Sequence, residues 1–165
     1  MKPTAELRQM LAGEGPLLVP GAYDGASARA VYGQGHQAVY LTGFGMEASI
    51  LGMPDIGLAS QAEIIGHARR IAAAVPMPVL SDADTGYGGL TDVHRTVREF
   101  ERAGIAGIHI EDQACLSVAV ACPVANWCRR KKWRPDCVPL LRLGTMRIFL
   151  LSPVAMQRQR KALML

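Results

Sequence analysis

Along residues 1–114, short apolar runs alternate with longer amphipathic stretches. The runs at 17–19, 38–42, 78–81 and 107–110 are almost wholly apolar, as strands covered on both faces should be. A leading stretch at 4–12 and three stretches between the runs, at 22–31, 61–74 and 91–103, carry apolar side chains at helical spacing. Ser60 stands where a helix N-cap belongs, with Glu63 three residues on. Thr91 is placed to cap the last helix and Gly104 to end it. Residues 43–57 read as a glycine-rich loop. Strand and helix in strict alternation imply right-handed crossovers and a parallel sheet. The expected class is therefore α/β, about the first half of a (β/α)8 barrel. An open doubly wound sheet is the competing architecture.

Polar and acidic residues follow directly on the apolar runs, at the edge where barrels of this kind carry their chemistry. Asp82-Ala83-Asp84-Thr85 follows the third run and Glu111-Asp112-Gln113 the fourth. In extended chain, residues two apart share a face, so Asp82 and Asp84 would face the same way. Like charges held together need a cation or solvent, and oxygen ligands suit Mg²⁺ or Mn²⁺. Asp82, Asp84 and Glu111 are the candidate metal ligands; an exposed acidic turn is the plain alternative. His109 lies one strand period before Glu111 and is either a catalytic group facing the interior or a hydrogen-bonded core histidine. Asp55, set among Gly52, Pro54 and Gly57, is placed to orient water on the metal or merely to cap a turn. The glycines of Thr42-Gly43-Phe44-Gly45 leave backbone amides free to approach an anionic substrate, or simply make a tight turn.

Composition divides the chain at about residue 114. Residues 1–114 hold 8 Lys/Arg against 13 Asp/Glu, a net of −5, whereas residues 115–165 hold 10 Lys/Arg against one acid, Asp136, a net of +9. All four cysteines and both tryptophans lie in the second part, and 16 of the 17 glycines in the first. Two segments are expected: a half-barrel over 1–114 and an irregular basic tail over 115–165. There is no apolar run long enough to span a bilayer and no apolar leader after Met1, so a cytoplasmic protein without a membrane segment is expected.

Tyr40-Leu41-Thr42-Gly43, Leu51-Gly52-Met53-Pro54-Asp55, Asp82-Ala83-Asp84-Thr85-Gly86-Tyr87-Gly88 and His109-Ile110-Glu111-Asp112-Gln113 resemble, in this order, the motifs of the isocitrate lyase/phosphoenolpyruvate mutase superfamily. The resemblance covers about residues 5–114. It implies a (β/α)8 barrel, usually a homotetramer, in which Mg²⁺ or Mn²⁺ holds an α-keto acid or its enolate. It assigns the metal to Asp82, Asp84 and Glu111, partly through waters, and places Asp55 near the metal. Tyr40, Thr42, Gly43 and Phe44 match the substrate-contacting segment, with Asp82 beside it. The motif ending in Asp55 is similar to that of 2-methylisocitrate lyases. Tyr23-Asp24-Gly25 is similar to members that decarboxylate oxaloacetate, and phosphonopyruvate-type members remain a further alternative.

The resemblance stops after Gln113. The family's Lys-Arg-Cys-Gly-His loop, whose cysteine is a general acid in the lyases, has no counterpart, and neither Cys115 nor Cys122 takes its role. Residues 115–165 are readable as an out-of-frame translation. With each new codon starting on the last base of the one before, residues 146–156 permit Asp-Ala-Asp-Phe-Leu-Ile-Val-Ala-Arg-Ser-Asp, close to the family's next barrel strand. Taken as a true segment, Arg129-Arg130-Lys131-Lys132-Trp133-Arg134 is a solvated basic run rather than a nucleic-acid site. A half-barrel exposes strand edges and apolar interior, so a truncated, weakly active or inactive remnant with a basic tail is the non-enzyme expectation.

Overall fold

The computed structural model describes residues 2–111 and the strand Arg147–Leu151. Asp112, Gln113, the cysteines, the tryptophans and the basic run 129–134 lie outside the described residues. The chain runs α1 (Pro3–Ala12), β1 (Gly21–Ala22), α2 (Gly25–Gly33), β2 (Val39–Leu41), α3 (Gly43–Leu51), α4 (Gln61–Ala74), β3 (Val79–Asp82), α5 (Leu90–Arg102), β4 (Gly107–Glu111) and β5 (Arg147–Leu151).

All described strands pair in parallel, in the spatial order β1-β2-β3-β4-β5. A doubly wound sheet reverses its strand order at a switch point, and this one never does. The sequential order is that of a barrel opened along one seam, which decides between the two architectures the sequence left open.

Strand alternation separates two apolar clusters. Val39, Leu41, Val79, Ile108 and Ile110 face outward and pack with α2, α4 and α5. Helix α5 sends Val93, Thr96, Val97 and Phe100 inward at i, i+3, i+4 and i+7, and α4 does so with Ile64, Ala68 and Ile71. Among the described residues Phe100 is the largest fully buried side chain; truncating such a residue costs about 3–5 kcal/mol. The second cluster lies on the other face of the sheet. Leu80, Ala38 and Ala106 meet Val19 and Leu7 of α1, with Tyr40 packed against them.

The predicted α4 cap is present in full: Ser60 Oγ accepts from the Glu63 amide, and Glu63 Oε2 accepts from the Ser60 amide at 2.8 Å. Gly104 ends α5 at φ 89°, as expected. Three local expectations are corrected. The first strand lies at Gly21–Ala22, not 17–19, because Leu17 and Val19 pack in the inner cluster and the ladder begins where Tyr40 N donates to Pro20 O at 2.9 Å. Helix α5 starts one residue earlier than Thr91, with Gly89 as N-cap and Asp92 Oδ2 accepting its amide at 2.8 Å. Much of the supposed glycine-rich loop is helix α3, capped by Thr42 and closed by Gly52 at φ 65°. Beyond residue 114 the described residues are those of β5, with Ile108 opposite Ile148 and Glu111 opposite Leu151.

Candidate active site

The inward-facing positions of β2, β3 and β4 converge at the end of the sheet away from α1. Tyr40, Asp82 and His109 lie there, Asp82 directly opposite His109 in the ladder. Beyond the last paired residues the strands stay tied: Ala83 N donates to His109 O at 3.0 Å and Glu111 N to Asp84 O at 2.7 Å. The two acidic segments are thus registered against each other by backbone hydrogen bonds.

Asp84 does not continue the strand. Its φ is 45°, left-handed, which an aspartate tolerates better than most residues. Asp82 closes the turn by accepting the Asp84 amide on Oδ1 at 3.0 Å, while its Oδ2 takes the Gly43 amide at 3.4 Å. The expectation that both carboxylates share one face of an extended strand is therefore replaced by a turn in which the first holds the backbone of the second. The Gly43-to-Gly45 amides are likewise partly engaged: the Gly45 amide approaches Thr42 Oγ1 at 3.5 Å. Gly43 and Gly45 serve close approach. A Cβ on Gly43 would stand 2.9 Å from Asp82 Oδ2, and one on Gly45 2.6 Å from the Tyr23 Cβ. Phe44 projects outward, 58% exposed.

Burial and crowding leave an electrostatic signature. Asp84 is pushed up to about 7, first by desolvation, then by the charges of Asp82 and Asp55, with Glu111 adding a smaller share. Asp55 rises to about 6 by desolvation, then by Glu47 and Asp82. The carboxylates of Asp55, Asp82, Asp84 and Glu111 therefore share one field. Tyr87 beside Asp84 tempers the rise of that carboxyl, and Tyr87 itself adopts a left-handed backbone at φ 60°, unusual for a bulky residue. Burial and these same charges hold both Tyr87 and Tyr40 well above the usual phenol range.

Tyr40 and His109 form the interior pair. The phenol oxygen lies 3.0 Å from His109 Nδ1, and the rings meet edge to face at 5.9 Å. The charge of Asp82 lies close enough to this hydroxyl to raise its pKa. In the tautomer whose Nδ1–H donates to the Tyr40 oxygen, Nε2 carries the ring's lone pair. Among the described residues Nε2 is buried and has no hydrogen-bond partner. Desolvation lowers the His109 pKa, partly opposed by Asp82.

Glu47, which sequence reasoning missed, is only 3% exposed. Its carboxylate takes the Ile56 amide at 3.1 Å and the Ala59 amide at 2.8 Å, bracketing the loop that carries Asp55. A single glutamate inside an apolar helix was the available signal. Asp24, noted in the Tyr23-Asp24-Gly25 motif, caps α2 by accepting from Ser27 N at 2.7 Å.

All the donors at this site are oxygens, and their mutual repulsion is what a hard dication would relieve. Among the described residues no three His, Cys, Asp or Glu side chains stand close enough to hold one ion by themselves. The arrangement fits an ion held by one or two carboxylates with water completing its shell, the habit of Mg²⁺. It does not fit a closed cage of three.

The family model described as phosphoenolpyruvate phosphomutase matches residues 7–133, which extends past the point where the motifs end. The chain belongs to the phosphoenolpyruvate mutase/isocitrate lyase superfamily. It is 44% identical over 113 residues to 2,3-dimethylmalate lyase of Eubacterium barkeri, covering 68% of this chain and 39% of that protein. It is 41% identical over 106 residues to 2-methylisocitrate lyase of Shewanella oneidensis, covering 64% of this chain and 36% of that one. A solved structure of phosphonopyruvate hydrolase in complex with oxalate and Mg²⁺ superposes with a TM-score of 0.65 at 29% identity, covering 68% of this chain and 40% of that chain. The chain spans less than two fifths of the curated relatives' length. No described helix is long and apolar enough to cross a membrane.

Proposed function

We propose that this chain carries the metal-binding half of a divalent-metal-dependent carbon–carbon lyase, acting on a small 2-hydroxy tricarboxylate of the 2-methylisocitrate type and releasing pyruvate. The observation that carries the reading is the register that sets Asp82 opposite His109 and ties Asp84 to both Asp82 and Glu111, beside a His109 Nε2 that is buried and has no partner among the described residues. Asp82, Asp84 and Glu111 would hold Mg²⁺ or Mn²⁺, partly through water, and Asp55 would orient that water. The bound ion supplies Lewis-acid stabilisation of charge developing on the substrate's oxygen.

The chain's own residues do the rest. The Thr42-capped start of α3 offers its positive end to a substrate carboxylate, with Gly43 and Phe44 at the rim. Tyr40 holds the His109 ring through Nδ1, and with the ring proton on Nδ1 the Nε2 lone pair would serve as the base. A substrate hydroxyl that reaches this nitrogen can give it a proton as the C–C bond opens.

The test is pyruvate release from 2-methylisocitrate, oxaloacetate and phosphonopyruvate, with Mg²⁺ and with chelator. Metal-dependent pyruvate from 2-methylisocitrate is expected. Turnover of oxaloacetate or phosphonopyruvate alone would reassign the substrate within the superfamily. Metal-independent turnover, or none, would refute the proposal.

A further inference from the structure

We propose that Glu47 is a positioning residue that fastens the loop carrying Asp55 over the carboxylate cluster, an inference that rests on the lyase reading above. The connection from α3 to α4 has no ladder or helix of its own between residues 52 and 60. Nor does apolar burial hold its middle, because Met53, Ile56 and Leu58 are 46%, 43% and 49% exposed. What ties it down is the carboxylate of Glu47. Oε2 accepts from the Ile56 amide at 3.1 Å and Oε1 from the Ala59 amide at 2.8 Å. Both oxygens are used, and charge-assisted bonds of this kind are stronger than neutral ones. Ile56 is the residue after Asp55, so its amide belongs to the peptide plane that begins at the Asp55 carbonyl. Fixing that plane fixes the backbone from which the Asp55 side chain extends.

Geometry also explains why the anchor is a glutamate on a helix. Position 47 lies on the second turn of α3, and that helix is seated by Thr42 at one end and Gly52 at the other. The anchor is therefore rigid while the loop is not. Asp55 touches the site through space only, and its distance from Asp82 and Asp84 is set by how the loop is held. A residue that holds the loop controls this distance without meeting substrate.

Two variants and two measurements test the role. In the unaltered chain, hydrogen exchange should show the Ile56 and Ala59 amides protected relative to those of Met53, Asp55 and Gly57. Equal exchange along the loop overturns the proposal whether or not Glu47→Gln folds. Glu47→Gln keeps the shape but places an amide NH₂ against a backbone donor, and should speed exchange at these two amides by roughly tenfold or more. In the pyruvate assay it should lower kcat about tenfold with KM nearly unchanged, since misplacing a group on the reacting side acts there. In an Asp55→Asn background Glu47→Gln should add little further loss. Full additivity would show that Glu47 acts elsewhere and would overturn the role. If the unaltered chain releases no pyruvate from any of the three acids, the lyase reading fails. The exchange comparison then decides alone whether Glu47 holds the loop.

Discussion

The amide of Glu111 donates to the carbonyl of Asp84 at 2.7 Å, joining two acidic segments that lie 27 positions apart in the chain. The bond runs one step past the β3–β4 ladder, so the register of two buried strands sets where the carboxylates stand. Asp84 can take part because its left-handed turn swings the carbonyl toward β4. Asparagine tolerates that turn as well as aspartate does. Asp84→Asn is therefore expected to fold, to keep this bond, and to lose at least about tenfold in affinity for Mg²⁺ or Mn²⁺, because it removes one of few charged ligands. Titration calorimetry with the metal alone checks it. Unchanged affinity would remove Asp84 from the ligand set.

Stability of the metal-free chain should fall as pH rises from about 4 to about 7. Asp84 titrates near 7 in the folded chain against 3.8 for an ordinary aspartate, so the folded state holds the proton more tightly across that window. The destabilisation is fully developed above pH 7 and amounts to about 2–4 kcal/mol. His109 works in the opposite sense below its ordinary 6.5, since its lowered pKa makes the folded chain bind fewer protons. Comparing urea unfolding of the unaltered chain with that of Asp84→Asn isolates the aspartate. With chelator present, the variant should be the more stable at pH 8 and show no such advantage at pH 4. Added Mg²⁺ should stabilise the unaltered chain at pH 8 far more than at pH 5. A difference between the two chains that does not change with pH would rule out Asp84 titration as its origin.

Tyr40→Phe tests the interior pair. The substitution keeps the ring and deletes the hydroxyl that lies 3.0 Å from His109 Nδ1. Nδ1 of a histidine only 6% exposed then loses its partner, and Nε2 already has none among the described residues. Leaving such a buried group unsatisfied costs about 1–3 kcal/mol, readable as a lower urea midpoint. Pyruvate release should drop as well, because the ring loses the contact that aims Nε2. Full stability in Tyr40→Phe would mean that the pair contributes nothing to the fold.

Most of the architecture was readable because it depends on local patterning. The apolar runs that became β2, β3 and β4, and the Ser60–Glu63 box that starts α4, each carry their own signal. The misread elements depend on tertiary contact. Glycines at 43 and 45 look like loop punctuation, yet they mark where α3 presses against Asp82 and Tyr23. Leu17 and Val19 look like a strand, yet they pack toward α1. Within the proposed site, Asp82, Asp84 and Glu111 were expected from acids that directly follow apolar runs, and Asp55 from a carboxylate set among turn formers. Glu47 and the left-handed Tyr87 were not, because neither a buried ion acceptor nor a positive φ is written in residue type. β5 was not readable as a strand from its own residues, which lie in a basic segment unlike everything before it, although the out-of-frame reading puts the family's next strand at 146–156.

A glycine pair separates site geometry from helix propensity. At Gly43 an added methyl would sit 2.9 Å from Asp82 Oδ2 and 3.2 Å from its Cγ. The carboxylate cannot step aside freely, because its other oxygen holds the Asp84 amide at 3.0 Å. Gly43→Ala should therefore destabilise by about 1–3 kcal/mol and weaken metal binding together. Gly66 lies inside α4 with nothing within 4 Å of an added Cβ. There Gly66→Ala should stabilise by up to about 1 kcal/mol, because alanine is the better helix former, and leave metal binding unchanged. Urea midpoints and Mn²⁺ titrations of the two variants, measured side by side, check both. Should Gly43→Ala bind Mn²⁺ as the unaltered chain does, the contact between α3 and Asp82 would have no part in shaping the site. The carboxylates would then have to be placed by the β3–β4 register alone.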